Sequence, residues 1–192
     1  MLRKVALAGV LTALAACSPA KKSAEADFDV SVPLKEVMGH VMDPGAWSFW
    51  DRSGDYVDAS GTRSRVPVDP KTLTDRAAIE AAEAQWTIAE NGTQQLIQMS
   101  NILKLPGYVR VVEKNDNGDW LKFAERLNVA AHAAQDAVQA KDGQKMFDTG
   151  GQVYEVCTAC HSKYLLPFVD PKTGEIPDGV SPQGEPVKKT KA

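Results

Sequence analysis

The sequence predicts an all-α fold, and two features of its pattern carry that prediction. Four stretches place apolar residues three and four positions apart, which is the spacing of one helix face. The links between these stretches are mostly short, which favours antiparallel neighbours. The chain has 192 residues, of which 43% are hydrophobic and 24% charged, so it can form one packed domain with tails. We therefore expect an antiparallel four-helix bundle, in which cofactor sites form between facing helices.

The first predicted helix runs from Val32 to about Asp51. Asp43 and Pro44 interrupt it, because proline lacks a backbone donor and disfavours helix at the residue before it. We expect a kink or a new start there, with Asp43 as the cap and Pro44 at the first helical position. The apolar side comprises Leu34, Val37, Met38 and Val41, followed by Trp47 and Trp50.

The second helix is predicted from Thr74 to about Leu105, with Thr74 as its cap, and Pro106-Gly107 ends it. The stretch that precedes it, Ser53 to Leu73, is irregular and contains several glycines and prolines. Within this stretch, Tyr56-Val57 and Arg65-Val66 are expected to pair as a short hairpin.

The third and fourth helices are predicted from about Asp119 to Ala140 and from about Gln144 to Leu166. The alanines of the third helix permit close approach of a neighbouring helix or a flat ligand. Its apolar stripe comprises Trp120, Phe123, Leu127, Ala130, Ala131, Ala134 and Val138. The stripe of the fourth comprises Phe147, Val153, Tyr154, Cys157, Cys160, His161, Tyr164 and Leu165.

The fourth helix contains Cys157-Thr158-Ala159-Cys160-His161, which reads C-x-x-C-H, the attachment signature for a c-type haem. Two thiols at this spacing reach the two vinyl groups of one porphyrin and form thioethers, and the next residue presents an imidazole to the iron. On a helix the three side chains fall at i, i+3 and i+4 and share one face. We therefore expect one covalent haem c on Cys157 and Cys160, with His161 as an iron ligand.

Two other chemistries use paired cysteines, and the sequence disfavours both. A structural zinc site needs four ligands, usually from two separated pairs, and the chain has no second C-x-x-C. A thioredoxin-type redox pair needs a βαβ context with its cysteines at a helix start, whereas these lie within a helix. His40 and His132 fall off the apolar stripes and are expected on the surface. With no histidine placed as an acid–base group, we expect no catalytic residues and no enzyme activity.

The N-terminus has the pattern of a lipoprotein signal peptide over residues 1–16. Leu14-Ala15-Ala16-Cys17 resembles a bacterial lipobox, which implies cleavage before Cys17 and acylation of that residue. Several acyl chains give stable anchoring, and Ser18 at the next position favours the outer membrane. The alternative is an ordinary cleaved signal with a chance cysteine. We expect a flexible tether over 17–30, the helical domain over 31–166 and a disordered tail over 167–192.

With C-x-x-C-H on the last of four helices, the chain resembles class II c-type cytochromes, the cytochrome c-prime type. The resemblance covers about residues 30–166. Its most specific part is Gly150-Gly151-x-x-Tyr154-x-x-Cys157-x-Ala159-Cys160-His161-x-x-Tyr164. The resemblance implies thioethers at the two cysteines, His161 as the proximal iron ligand, and a distal side lined by the first helix.

The resemblance also bears on the sixth iron ligand. Some members of this family supply a methionine from the first helix and carry electrons, whereas others leave the iron five-coordinate. Met38 is the candidate at that position, and Met42, one turn later, is the reserve. The alternative is that both methionines only fill the core, which methionine does well.

These features lead to the expectation of an electron carrier in the periplasm, lipid-anchored to a membrane and exchanging electrons with a redox partner protein. The alternative is a five-coordinate protein that binds nitric oxide or carbon monoxide, and a third reading is a haem subunit of a larger redox complex. Related bundles suggest a homodimer, by analogy alone. The net charge of −3 argues against nucleic acid as a partner, because that would favour a clustered basic face.

Overall fold

The computed structural model describes residues 30–59, 61–112 and 118–165, together with residue 172. These residues are predominantly α-helical, which is consistent with the predicted all-α class. Within them no helix combines the length and apolar character needed to cross a membrane. The predicted signal peptide, Cys17 and nearly all of the predicted tether and tail lie outside the described residues. The elements are α1 (Leu34–Val37), α2 (Asp43–Trp50), β1 (Asp55–Asp58), β2 (Gly61–Ser64), α3 (Arg76–Ile102), α4 (Pro106–Val112), α5 (Asp119–Gln139) and α6 (Gly143–Tyr164).

A π-helical turn, Met38–Met42, joins α1 to α2, so residues 34–50 form one continuous helix, the N-terminal helix. Asp43 has helical angles (φ −61°, ψ −48°), and its N–H donates to the carbonyl of Met38, five residues earlier. The prediction that Asp43 caps a new helix is therefore wrong. Pro44 cannot donate to the carbonyl four residues before it, and its ring crowds that carbonyl; the wider π turn relieves the conflict without ending the helix.

The π turn also shifts the buried face of the N-terminal helix by one residue. Leu34 and Val37 are buried before it, as predicted. The predicted stripe is wrong at one position within the turn and at one after it, because Val41 is 42% exposed and Trp47 is 53% exposed. The extra residue in the turn moves the inward face onto Met42, Ala46 and Phe49.

The stretch between the N-terminal helix and α3 contains a hairpin close to the predicted place. β1 pairs antiparallel with β2, with Tyr56 opposite Arg63 and Val57 opposite Thr62. The second strand thus begins at Gly61, and the predicted strand at Arg65-Val66 lies beyond its end. Arg65 still closes the hairpin through its N–H, which donates to the carbonyl of Gly54 at 2.9 Å.

α3 begins one residue later than its predicted cap implies. Asp75, rather than Thr74, is the N-cap, and its carboxylate accepts from the N–H of Ala78 at 2.8 Å. The helix ends at Ile102, close to the predicted end. Pro106 then begins α4, a short helix that the sequence does not predict, and proline suits this first position because the N–H it lacks would have no helical partner.

α5 and α6 lie close to their predicted bounds. The predicted apolar stripe of α5 is buried along its length, with Phe123 partly exposed. α6 begins after Asp142, whose carboxylate accepts from the N–H of Lys145 at 3.0 Å. Two aromatic residues of its predicted stripe face outward, since Phe147 is 58% exposed and Tyr154 is 59% exposed. The buried positions of α6 are Met146, Thr149, Gly150, Val153 and Val156.

Side-chain contacts define how the long helices pack. α3 runs antiparallel to α5, because the indole N–H of Trp120 donates to the carbonyl of Leu103 at 2.7 Å, while the amide of Asn128 donates to the hydroxyl of Ser100 at 2.7 Å. On the other side of the molecule, the indole N–H of Trp50 donates to the carbonyl of Gly150 at 3.1 Å. This bond fixes the end of the N-terminal helix against α6 and leaves a cleft between them toward residue 161.

Candidate cofactor-binding cleft

The cleft lies between the N-terminal helix and the C-terminal half of α6, and it has a volume of about 360 Å³. That volume falls within the range of sites that hold small molecules and cofactors. The cleft opens to solvent on one side. Its lining is mostly apolar and includes Leu34, Ala46, Trp50, Trp120, Tyr164 and Leu165.

Cys157, Cys160 and His161 lie together on one wall of this cleft, as the motif predicts. Both cysteines are half-buried, and no disulfide joins them to each other. α6 is helical throughout the motif, so all three side chains project from one turn toward the same space. Two thiols and one imidazole are thus presented to a single cavity.

The thiol of Cys157 is not poised for redox exchange. Burial, and then the negative charge of Asp43, raise its pKa from 9.0 to about 11. A thiol–disulfide catalyst needs the opposite, a depressed pKa that yields thiolate near neutral pH. The environment of Cys157 therefore disfavours a thioredoxin-type function for the pair.

The imidazole of His161 lies at the mouth of the cleft and is exposed. Neighbouring protein atoms still desolvate its ring and lower its pKa from 6.5, against the opposing effect of Asp43. Neutral imidazole is the form that binds a metal ion. Its protonation state therefore suits the role of iron ligand that the sequence predicts.

Met38 and Met42 lie on the opposite wall, on the π turn. Both also line a smaller apolar cavity of about 20 Å³, which is bounded in addition by Trp120 and the three motif residues. Met42 is buried, whereas Met38 is half-buried. The structure thus brings both methionines to the cleft that holds the motif, as the predicted position of a sixth ligand requires.

The remaining histidines lie away from the cleft. His40 is exposed and its ring lies 3.0 Å from the carboxylate of Glu36 on the outer side of the N-terminal helix. His132 is exposed on α5. Both positions agree with the prediction that these histidines are surface residues.

Several cleft residues are not predicted from the sequence. Trp120 packs edge to face against Tyr164, with ring centroids 5.1 Å apart, and this pair forms the floor of the cleft. Asp43 and Lys35 bring charges to its lining, and Gly39 leaves open space there, since no described atom would lie within 4 Å of an added Cβ. The aromatic residues could be found from their stripes, but the position of Asp43 depends on the π turn.

The donor set of the cleft suits a haem better than a bare metal ion. Among the described residues, no group of three or more histidine, cysteine, aspartate or glutamate side chains is arranged to hold a metal ion. A haem does not require such a group, because the porphyrin itself supplies four nitrogen ligands to its iron. An apolar cleft with two thiols and one imidazole on the same wall therefore fits this cofactor.

No family model, curated protein or solved structure matches the chain.

Proposed function

We propose that this chain is a c-type haem protein that carries electrons, built as an antiparallel four-helix bundle with one covalent haem c. The observation that carries the proposal is the cleft: the two thiols and the imidazole of C-x-x-C-H line one wall, and Met38 lines the other. When bound, the haem supplies the one-electron ferric–ferrous couple. Catalysis is not part of the proposal.

Each residue of the cleft has a distinct part in this proposal. Cys157 and Cys160 hold the cofactor through thioethers, and His161 is the proximal ligand. Met38 is the distal ligand, with Met42 as the reserve, and a thioether ligand raises the reduction potential. The mostly apolar lining lowers the dielectric around the cofactor, which is one of the factors that set its reduction potential.

We also propose that the protein is attached to a membrane and faces the periplasm. The lipobox that ends at Cys17 would tether the domain to a membrane on its periplasmic side, where c-type haem is attached, and it favours the outer membrane. The partner would be a second redox protein in that compartment, and a homodimer is compatible with the proposal.

The test is expression in a bacterium that attaches c-type haem in its periplasm, followed by haem staining after denaturing electrophoresis. Wild-type protein should keep one haem per chain under denaturation and show a reversible one-electron titration. The double variant Cys157→Ala/Cys160→Ala should lose the covalent haem completely. Thr158→Ala, at a variable position of the same motif, is the matched control and should keep it. The proposal is contradicted if the double variant keeps its covalent haem, or if the wild type has no haem.

A second candidate function is the binding of a small gas molecule at an open iron position. The space beside Gly39 on the distal wall favours it, because a Cβ added there would meet no described atom within 4 Å apart from its own neighbouring helix backbone. Rapid binding of carbon monoxide by the reduced protein would support this candidate. A reduced protein that does not bind carbon monoxide would exclude it.

A further inference from the structure

Asp43 is an acidic side chain on the wall of the cleft that the proposed function does not yet use. It lines the cleft beside Met38, Met42 and His161, and it is exposed at the mouth. In the described part of the chain, its carboxylate has no hydrogen bond and no salt bridge. No basic side chain among the described residues therefore neutralises its negative charge through a salt bridge.

The charge of Asp43 is directed toward the motif. It acts electrostatically on the side chains of both Cys157 and His161, which lie across the cleft. Among the described residues that line the cleft, Lys35 has the one charged side chain besides those of Asp43 and His161. Lys35 lies two turns earlier on the same helix and has the opposite sign.

The surroundings strengthen this effect. Apolar side chains such as Ala46, Trp50 and Trp120 make up most of the lining, and a charge acts over a longer distance across apolar atoms than across water. The exposure of Asp43 at the mouth admits some screening by salt.

We propose that Asp43 sets the reduction potential of the redox centre in this cleft, lowering it by stabilising the more positive oxidised state, and that Lys35 opposes it. This inference rests on the proposed function. The redox step is the gain of one electron, supplied by the partner protein or by an electrode, and it reduces the positive charge of the site by one without making or breaking a bond. A nearby negative charge therefore disfavours the reduced state.

The experiment compares reduction potentials of the haem-loaded full-length protein at one fixed pH by spectroelectrochemical titration. Asp43→Asn keeps the side-chain volume and removes the charge, so the potential should rise. At a fixed solution potential, the ratio of reduced to oxidised protein should increase about three- to tenfold, which Coulomb's law gives for one charge at a partly solvated site. The increase should diminish as the salt concentration rises. Lys35→Gln should change the ratio in the opposite direction.

Two further variants separate a charge effect from a structural one. Asp43→Glu keeps the charge and should have a potential close to that of the wild type. Asp136→Asn makes the same charge change on the exposed face of α5 and should leave the potential unchanged. The inference is overturned, and the proposed function stays intact, if haem-loaded Asp43→Asn has the same reduction potential as Asp136→Asn. The proposed function is overturned if the chain contains no haem.

Discussion

Met38 and Met42 are the two thioether side chains that face the cleft, and they differ in burial. Met38 is half-buried and therefore closer to the open space in which a cofactor would lie. Met42 is buried in the core beneath it. This difference favours Met38 as the ligand and assigns Met42 mainly to packing.

Met38→Ala should convert the ferric protein from low-spin to high-spin, because the loss of the thioether leaves the iron without its sixth ligand. The measurement is the electron paramagnetic resonance spectrum of the ferric protein. Met42→Ala is the control: it should stay low-spin but cost about 2–4 kcal/mol of folding free energy as a large-to-small core substitution. A low-spin spectrum in Met38→Ala, or a high-spin spectrum in Met42→Ala, would contradict the assignment of Met38.

Asp119 connects the start of α5 to the end of α6, where the motif lies. Its carboxylate accepts from Lys122 at 2.8 Å and from Lys163 at 2.6 Å. These two hydrogen bonds lower its pKa from 3.8 to about 2. Because the folded-state pKa lies below the unfolded value, the stabilisation is complete above about pH 4 and is lost as the pH falls toward 2.

Asp119→Asn should therefore flatten the acid dependence of stability between pH 4 and pH 2. The measurement is the thermal unfolding midpoint at several pH values in that interval. The wild type should lose stability over the interval faster than the variant, and Asp136→Asn, on the same helix, should follow the wild type. Equal slopes for the wild type and Asp119→Asn would show that this carboxylate does not contribute.

The spacing of the motif predicts where its three side chains lie relative to one another. Residues at i, i+3 and i+4 share a face whatever the helix packs against, so Cys157, Cys160 and His161 could be placed together from the sequence. The position of Asp43 could not, because its preference for a helix cap and the proline after it both favour a break. The packing around the helix decides whether the helix ends before Pro44 or continues through a π turn.

The N-terminal helix and α3 approach each other through glycine. A Cβ added at Gly92 would lie 2.6 Å from the carbonyl oxygen of Gly45 and 2.9 Å from the backbone nitrogen of Phe49. Both contacts are to backbone, which cannot rotate away as a side chain does. The two helices would have to separate, and the wall of the cleft that carries Met38 would move with them.

Gly92→Ala should therefore destabilise the fold by about 1–3 kcal/mol, the usual cost of overpacking, despite the better helix propensity of alanine. The measurement is denaturant unfolding of the wild type and the variant. Gly151→Ala is the matched control on α6, where no described atom lies within 4 Å of the added Cβ, and it should stabilise by about 0.5–1 kcal/mol. Equal effects of the two substitutions would contradict the tight contact.

Element boundaries were predictable where the apolar stripe is long. The stripes of α5 and α6 extend for several turns; Asp142 caps α6, whereas α5 begins after Gly118 without a capping side chain. The periodicity of the N-terminal helix failed after Met38, because a π turn adds a residue that no fixed period of 3.6 includes. α4 is too short for its periodicity to be visible in the sequence.

On the scale of the whole molecule, the described fold begins where the predicted tether ends. Val30 packs against Gly107 at the start of α4, and the hydroxyl of Tyr108 donates to the carbonyl of Val32 at 2.9 Å. The chain is thus held to the domain immediately after the tether. A flexible chain over residues 17–30 would span about 20 Å, so the domain would stay close to the membrane surface.

The proposed anchor can be removed without altering the described domain. In a variant with a cleavable, non-lipoprotein signal in place of residues 1–16 and with Cys17→Ser, nearly all of the protein should move from the membrane fraction to the soluble periplasmic extract. The physical reason is that the acyl chains on Cys17 would be the stable attachment to the bilayer. Haem content per chain and the absorption spectrum should not change, because none of the altered residues is a proposed attachment point or ligand of the haem. Separation of the two bacterial membranes by density should place the wild type in the outer membrane. A variant that remained with the membranes would show that another part of the chain, or a membrane-bound partner, retains the protein.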